Sequence, residues 1–465
     1  MARSWSIGII GGGPGGLFTA WLLDQLLPVP QQITLFEASS RLGGKVETRQ
    51  FPQGPLYEAG AAEFYDYSPV DEDPLKELIA ELGLVTVPMG GATLLFGHRQ
   101  LAHLDDVASL LGPEAAAAWR RFDARAHDWM SPREYFHADH HPTPAWNGSP
   151  TADFRAVLEQ VDHPVTRDLV AMAIHSDLAT EPELTNPAYG LQNYLMNDPA
   201  YMRLYSIVGG NEQLVTQLAG RISARVLRQH PVQAVEAIAP AFAGGVPRVR
   251  VHTAPEGVVE THDFDLVVVA LPYAALERVT FLPESLAQPM SRHLAHYNHP
   301  ADYLRITLLF DTPFWRPVWE EGYCMLDAFG GCCLYDESAR DPTASQGVLG
   351  FLLAGQTGGE LCARTDAELL DLALNALPGA FAQARSLLRD HRVQRWPGAV
   401  SALPGGRSFR PVDLRHQPAP AICPGLYVVG DYLFDSTLNG VLDSATHVAE
   451  AIACRVAEQP ALAVH

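Results

Sequence analysis

Residues 5–16, Trp5-Ser6-Ile7-Gly8-Ile9-Ile10-Gly11-Gly12-Gly13-Pro14-Gly15-Gly16, run from an apolar stretch straight into a glycine-rich turn. Trp5–Ile10 reads as a short buried strand, Leu17–Leu27 as a helix and Gln32–Glu37 as a second strand. In Gly11-x-Gly13-x-x-Gly16, glycine stands where a tight turn, a close phosphate and helix–strand packing each exclude a Cβ. A helix opening near Pro14 directs its free N–H groups and positive dipole end at an anion. Glu37 follows Gly16 by 21 residues. There a carboxylate accepts from both ribose hydroxyls and repels a 2′-phosphate. Turn, flanking elements and acidic residue together mark a dinucleotide-binding α/β unit.

Outward from this unit the pattern changes. From about Ser68 to Ser206 helical periodicity dominates, in Pro74–Leu82, Pro113–Trp129 and Thr166–His175, and residues 140–150 form a loop rich in Pro and His. After Gly209-Gly210 a helix is expected over Asn211–Arg225, then strands at Val232–Ile238, Arg248–Thr253 and Phe264–Ala270. The last of these is apolar on both faces, as in a covered sheet. Tyr303–Phe310 alternates like a half-exposed strand, and Gly347–Leu353 is another strand. Gly425–Gly430 and the helix Leu442–Val456 return to the opening style. One domain is therefore assembled from the first, middle and last segments, with a second inserted between them.

A chain of 465 residues exceeds what one core usually supports, and 47% hydrophobic with 18% charged residues is ordinary globular composition. The net charge of -21 argues against nucleic acid or an anionic membrane as partner, because phosphates need clustered Lys and Arg. Only Lys45 and Lys76 are lysines. Cys324, Cys332, Cys333, Cys362, Cys423 and Cys454 form neither a disulfide framework nor a CxxC pair, which suits a reducing cytoplasm. The pair Cys332-Cys333 reads as buried small hydrophobes. No targeting segment is read, and the longest apolar run, Leu266–Leu271, is far short of the ~20 residues of a membrane span.

The stretch Glu37-Ala38-Ser39-Ser40-Arg41-Leu42-Gly43-Gly44-Lys45 resembles the E-x-x-x-R-x-G-G-R segment of the flavin-containing amine oxidase superfamily, which includes monoamine, polyamine and L-amino acid oxidases. Lys45 stands where the family usually has Arg, keeping the charge and losing the fork. Tyr57–Glu63, with Gly60, Ala61 and Ala62, resembles the family's D/E-x-G-A segment beside the flavin ring. Gly209-Gly210 matches its G-G before a helix, and Val232 the valine whose backbone meets adenine. Asp265–Pro272 matches D-x-V-V-x-A-x-P. Gly425–Asp431 resembles the strand ending in Gly430-Asp431, whose carboxylate takes a ribityl hydroxyl. Asn439–Ala445 resembles E-G-A-x-x-S-G, with Leu438, Gly440 and Val441 at the start of the last helix. A helix N-terminus there suits the negative charge of a reduced flavin.

The resemblance implies FAD, held by Gly11, Gly13, Pro14, Gly15, Gly16, Glu37, Arg41, Gly43, Gly44, Lys45, Gly60, Ala61, Ala62, Val232, Gly430, Asp431, Leu438, Gly440 and Val441. It implies an α/β fold: a Rossmann-like FAD-binding domain from residues 1–67, 207–295 and 397–465. An α+β substrate domain with a helical insert takes 68–206 and 296–396. It also implies amine oxidation by hydride transfer to flavin N5, with imine formation and reoxidation by oxygen; a homodimer stays open.

Four positions test the analogy. Aligned back from Pro313-Phe314-Trp315, Arg305 takes the place of a lysine that holds water at flavin N5; the bland reading is a strand-surface arginine. Trp396 matches a tryptophan at the flavin edge, and no Cys follows it through Gly406, so the FAD is expected to be non-covalent. The substrate-flanking aromatic pair is replaced by Gly406 and Thr437. Glu63 stands where amino acid oxidases carry a carboxylate-binding Arg, which favours a cationic amine over an α-amino acid unless Arg203 or Arg305 substitutes. The expected catalytic set is Arg305, Glu63 and Trp396. Two other functions fit the same motifs: dehydrogenation of a C–C bond in a hydrophobic substrate, and a non-catalytic FAD-bearing scaffold. His137, Asp139, His140 and His141 lack helical metal-ligand spacing, so no metal is expected. Tyr189, Tyr194, Tyr201, Tyr205 and Trp146 can line a cavity, with plain core as the commoner role.

Overall fold

The computed structural model describes residues 4–28, 31–91, 93–97, 99–137, 152–239, 247–319, 321–341, 344–405, 407, 410–434 and 436–458. Its backbone forms two compact units, one of Met1–Val46, Glu212–Asn298 and Arg410–His465, the other of Glu47–Asn211 and His299–Phe409. Segments 47–67, 207–211 and 397–409, grouped by sequence with the nucleotide-binding part, fall in the second unit, as do 299–396; residues 296–298 fall in the first.

In the first unit, five parallel strands lie in the order Arg225–Leu227, Gln32–Phe36, Ser6–Ile10, Leu266–Val269 and Leu426–Val428. Ile7, Ile9, Leu266 to Val269 and Val428 are all at most 1% exposed, as a sheet covered on both faces requires. Helix Pro14–Leu26 starts on a proline, whose missing N–H costs nothing there, and packs against the final helix Leu438–Glu458. A four-stranded sheet, Glu260–Phe264, Arg248–Thr253, Val232–Ile238 and Thr280–Leu282, completes the unit.

Two expectations are corrected here. Asn211–Arg225 is not one helix: the helix spans Glu212–Ala219, breaks at Gly220, and Arg225 begins a sheet strand. Phe264–Ala270 is not one strand either. Phe264 ends a strand of the smaller sheet and Leu266 begins one of the parallel sheet, while the Asp265 carboxylate between them accepts from the Ser6 N–H and Oγ–H (both 2.9 Å).

The second unit is built on seven strands in the order Leu388–Ser401, Pro300–Phe310, Gly347–Leu353, Cys332–Asp336, Tyr323–Leu326, Thr93–Phe96 and Arg99–Leu101. All pair antiparallel except Thr93–Phe96 with Tyr323–Leu326. One face carries a core shared with helices Pro113–Trp129, Pro164–Leu178 and Pro187–Leu195; the other packs on helix Asp366–Ala376. Cys333 enters the first core and Cys332 the second, as neighbours on a strand must. Both thiols are free and buried. Tyr303–Phe310 is therefore not half exposed. Leu304 through Phe310 are all buried because both faces of this central strand are covered.

Candidate active site

The first unit gathers the nucleotide residues. Gly11 has φ +111°, outside the range of most side chains, and a Cβ on Gly16 would run into the Gly11 carbonyl. Among the described residues no side chain caps the helix, and Pro14 takes its first position, so the N–H groups of Gly15 and Gly16 point out of the helix end without an intrahelical partner. The final helix arrives beside it: a Cβ on Gly15 would sit 3.5 Å from Val441 Cγ1. Leu438 and Gly440 lie in that helix's first turn, where Thr437 Oγ1 accepts from the Gly440 N–H at 3.1 Å.

Around this turn the chain closes on itself. The Glu37 carboxylate accepts from the N–H groups of Gly12 (2.8 Å) and Ser39 (2.7 Å), which fixes it at the strand end. His230 N–H donates to Glu37 O at 2.9 Å and brings the strand starting at Val232 alongside. Arg41 holds its own loop, donating to the carbonyls of Leu42 (3.0 Å), Val46 (3.3 Å) and Gly44. Gly43 and Gly44 both have positive φ, and a Cβ on Gly44 would lie 3.1 Å from Gly13 Cα. Lys45 Nζ donates to Asp431 Oδ2 at 2.7 Å, and the Gly430 N–H donates to Ser444 Oγ at 3.1 Å. An uncapped helix end, a cation and a glycine surface without side chains fit a dinucleotide diphosphate.

In the second unit Arg305, Trp396 and Glu63 come together on segment 58–63. Four of its carbonyls are each held by a side chain from elsewhere in that unit. Arg305 Nε donates to Glu58 O (3.1 Å), Trp396 Nε1 to Ala59 O (2.6 Å), Asn211 Nδ2 to Ala61 O (3.0 Å) and Arg340 Nη2 to Ala62 O. The Gly60 N–H donates to Glu47 O at 3.2 Å. Arg305 is not on a strand surface: it is 2% exposed and pairs through Nη2 with Glu337 Oε1. Glu337 also accepts from the Glu58 N–H (2.7 Å) and pairs with Arg340 Nη1 (3.2 Å). Buried charges persist only with such partners. Burial pushes the Glu58 carboxyl up to about 7, against the opposing pull of Arg340 and the Asn211 N–H.

Beside Glu63 stand Asp177 and several tyrosines. Glu63, Tyr65, Asp177 and Tyr303 keep partial exposure although burial suppresses the charged form of each. Glu63 Oε2 is inaccessible and has no hydrogen-bond partner among the described residues. Burial raises its carboxyl while Arg305 draws it down. Asp177 is pushed up to about 7, first by burial and then by Glu63. Among the described residues its oxygens accept from Cys333 Sγ and Tyr323 OH, each at 3.4 Å.

Other sequence candidates separate. Tyr194 and Tyr201 are core residues whose hydroxyls donate to Asp123 Oδ1 (2.9 Å) and Met130 O (2.6 Å), and Tyr205 is buried in the three-stranded sheet. Tyr189 stays partly exposed near Tyr303. Arg203 is exposed at a strand end. Trp146, Gly406, Asp139, His140 and His141 lie outside the described residues, among which no group of three metal-ligating side chains occurs. No helix there is long and apolar enough to cross a membrane. Sequence reading missed Asp177, Glu337 and Arg340. Each is an ordinary charged residue in its local window, and only burial marks it.

Parallel sheet, glycine turn and closing helix define the first unit as a Rossmann-type nucleotide-binding domain. The chain belongs to the flavin containing amine oxidoreductase family, whose profile matches residues 14–453. It is a flavin-dependent oxidoreductase. The flavin-dependent L-tryptophan oxidase RebO of Lentzea aerocolonigenes is 24% identical over 485 residues, covering 96% of this chain and 97% of the relative. Among solved structures, cyclohexylamine oxidase from Brevibacterium oxydans IH-35A shares the fold with TM-score 0.70 at 20% identity, covering 98% of this chain and 100% of that one. Putrescine oxidase bound to putrescine does so with TM-score 0.69 at 17%, covering 97% and 100%.

Proposed function

We propose that the chain holds FAD non-covalently and oxidises an amine to an imine, which water hydrolyses, with oxygen as final electron acceptor. The observation that carries the amine is the acidic, tyrosine-rich cluster in which Glu63 presents a buried oxygen without a well-formed hydrogen bond among the described residues. Gly15, Gly16, Lys45, Glu37 and Asp431 would hold the dinucleotide, and no cysteine follows Trp396 in the stretch 397–406 where a thioether would form. Bound FAD supplies the two-electron acceptor for hydride removal from the carbon beside nitrogen.

The chain's own residues attract and position the substrate. Carboxylates in a desolvated cluster favour an ammonium group over a neutral hydrocarbon. Making the amine neutral costs about 1.4 kcal/mol per pKa unit, and the carboxyls that burial has raised are the available proton acceptors. Arg305 and Arg340 hold segment 58–62 still while this happens.

Anaerobic mixing with cyclohexylamine, putrescine and L-tryptophan tests the reading. Bleaching of the oxidised-flavin band by at least one amine is expected, with ammonia and peroxide released in air. Bleaching only by a hydrocarbon with a dehydrogenatable C–C bond would transfer the enzyme to the desaturase reading.

A further inference from the structure

Asp177 lies at the end of helix Pro164–Leu178, and its surroundings are unusual for a largely desolvated carboxylate. Buried acids normally hold an arginine, a lysine or backbone N–H groups. Among the described residues Asp177 has no Arg or Lys partner; its two contacts are long and come from a thiol and a phenol. Glu63 differs, because Arg305 offsets part of its charge. His175 draws the Asp177 carboxyl down in part, so Asp177 is the carboxylate of this cluster that the fold leaves without an arginine or lysine.

A second observation points to a ligand. Tyr335 is 0% exposed, yet its hydroxyl has no partner in hydrogen-bonding geometry among the described residues. Its ring lies 5.4 Å from that of Tyr323, whose hydroxyl touches Asp177, and its hydroxyl approaches the Glu63 carboxyl and draws it down without reaching full hydrogen-bond geometry. Tyr303, the next wall, donates its hydroxyl to Ser176 O at 2.9 Å, so its position is fixed. A buried phenol and a buried carboxylate oxygen without a well-formed hydrogen bond, beside a carboxylate that has no arginine or lysine, are complementary to a compact group carrying positive charge and several N–H donors.

Resting on the amine reading above, we propose that Asp177 is the specificity-determining anchor for the substrate's ammonium group.

The test separates charge recognition from turnover. Dissociation constants of tert-butylammonium, which has no hydrogen on the carbon beside nitrogen to lose, and of its neutral isostere tert-butanol are measured on the flavin-loaded enzyme by perturbation of the flavin spectrum, for wild type, Asp177→Asn and Asp177→Glu. Wild type is expected to bind the ammonium at least 10-fold more tightly than the alcohol. Asp177→Asn should remove that preference while leaving tert-butanol within about twofold, and Asp177→Glu should restore part of it. Equal affinity for both probes in wild type overturns the proposal without needing any variant to fold. So does a parallel loss of both in Asp177→Asn. Failure of every amine to bleach the flavin, with the ammonium preference intact, would count against the amine-oxidation reading alone.

Discussion

Lys45 Nζ lies 2.7 Å from Asp431 Oδ2, an ion pair that closes the first unit across 386 residues of sequence. It joins the loop after the second strand to the end of the fifth, beside the uncapped helix at Gly15. Lys45 is about one third exposed and Asp431 largely buried, so the pair is partly shielded from solvent. Removing the ammonium strips the site of a cation and leaves the Asp431 carboxylate without its charged partner. Lys45→Met is expected to raise the flavin dissociation constant about 10-fold, the effect of losing one charge-assisted hydrogen bond. Lys45→Arg should stay within threefold of wild type. Fluorescence of flavin released on dilution measures both, and unchanged retention in Lys45→Met would remove Lys45 from the cofactor site.

Arg305 and Glu337 form a fully enclosed pair, with side chains 2% and 0% exposed. Breaking one side of such a pair costs about 3–5 kcal/mol because the survivor stays buried and charged. Arg305→Met should lower the melting temperature by several degrees. The double variant Arg305→Met/Glu337→Gln should recover part of that loss, since the Glu337 charge goes with its partner and Arg340 keeps Glu58 at 3.8 Å. Thermal denaturation of the set decides the matter; additive losses would show that the two residues are not coupled.

Asp177 gives a pH signature of the opposite sign to an ordinary surface carboxylate. Its carboxyl is pushed up to about 7 in the folded chain, against about 3.9 when unfolded. Between those values the unfolded chain has released a proton that the native chain keeps, so native stability falls as pH rises through this window and levels off above it. Asp177→Asn lacks that fall. Its melting temperature relative to wild type should therefore climb from pH 5 to pH 8. A difference that is flat or declines with pH would mean that Asp177 is ionised in the folded enzyme throughout.

Glu63 makes a kinetic prediction. Glu63→Gln keeps the shape and removes the charge, so KM for the amine substrate should rise about 10-fold while kcat changes less, the pattern of lost ground-state binding. An unchanged KM would show that the carboxylate does not meet the substrate.

Residues 5–16 were legible because their constraints are local. A buried strand, a turn that only glycine can make and a helix opening on proline are all written within one short window. Motif resemblance extended this to Lys45, Asp431 and Val441, and the fold brings those three close to the glycine turn. It also selected Arg305, Trp396 and Glu63, which the structure gathers on segment 58–63. The role of Arg305 as a buried partner of Glu337 was not legible. Alternation along Tyr303–Phe310 suggested one open face, and only the layers on both sides of that sheet bury it.

By itself, then, the sequence determined the nucleotide-binding unit and the family to which the chain belongs, because backbone geometry at glycine and proline is a short-range property. Tertiary structure alone decided the surroundings of Asp177. Asp177, Cys333 and Tyr323 are separated by up to 156 residues, and an aspartate becomes a proton-holding carboxyl only when distant elements exclude water from it and set no arginine or lysine against it.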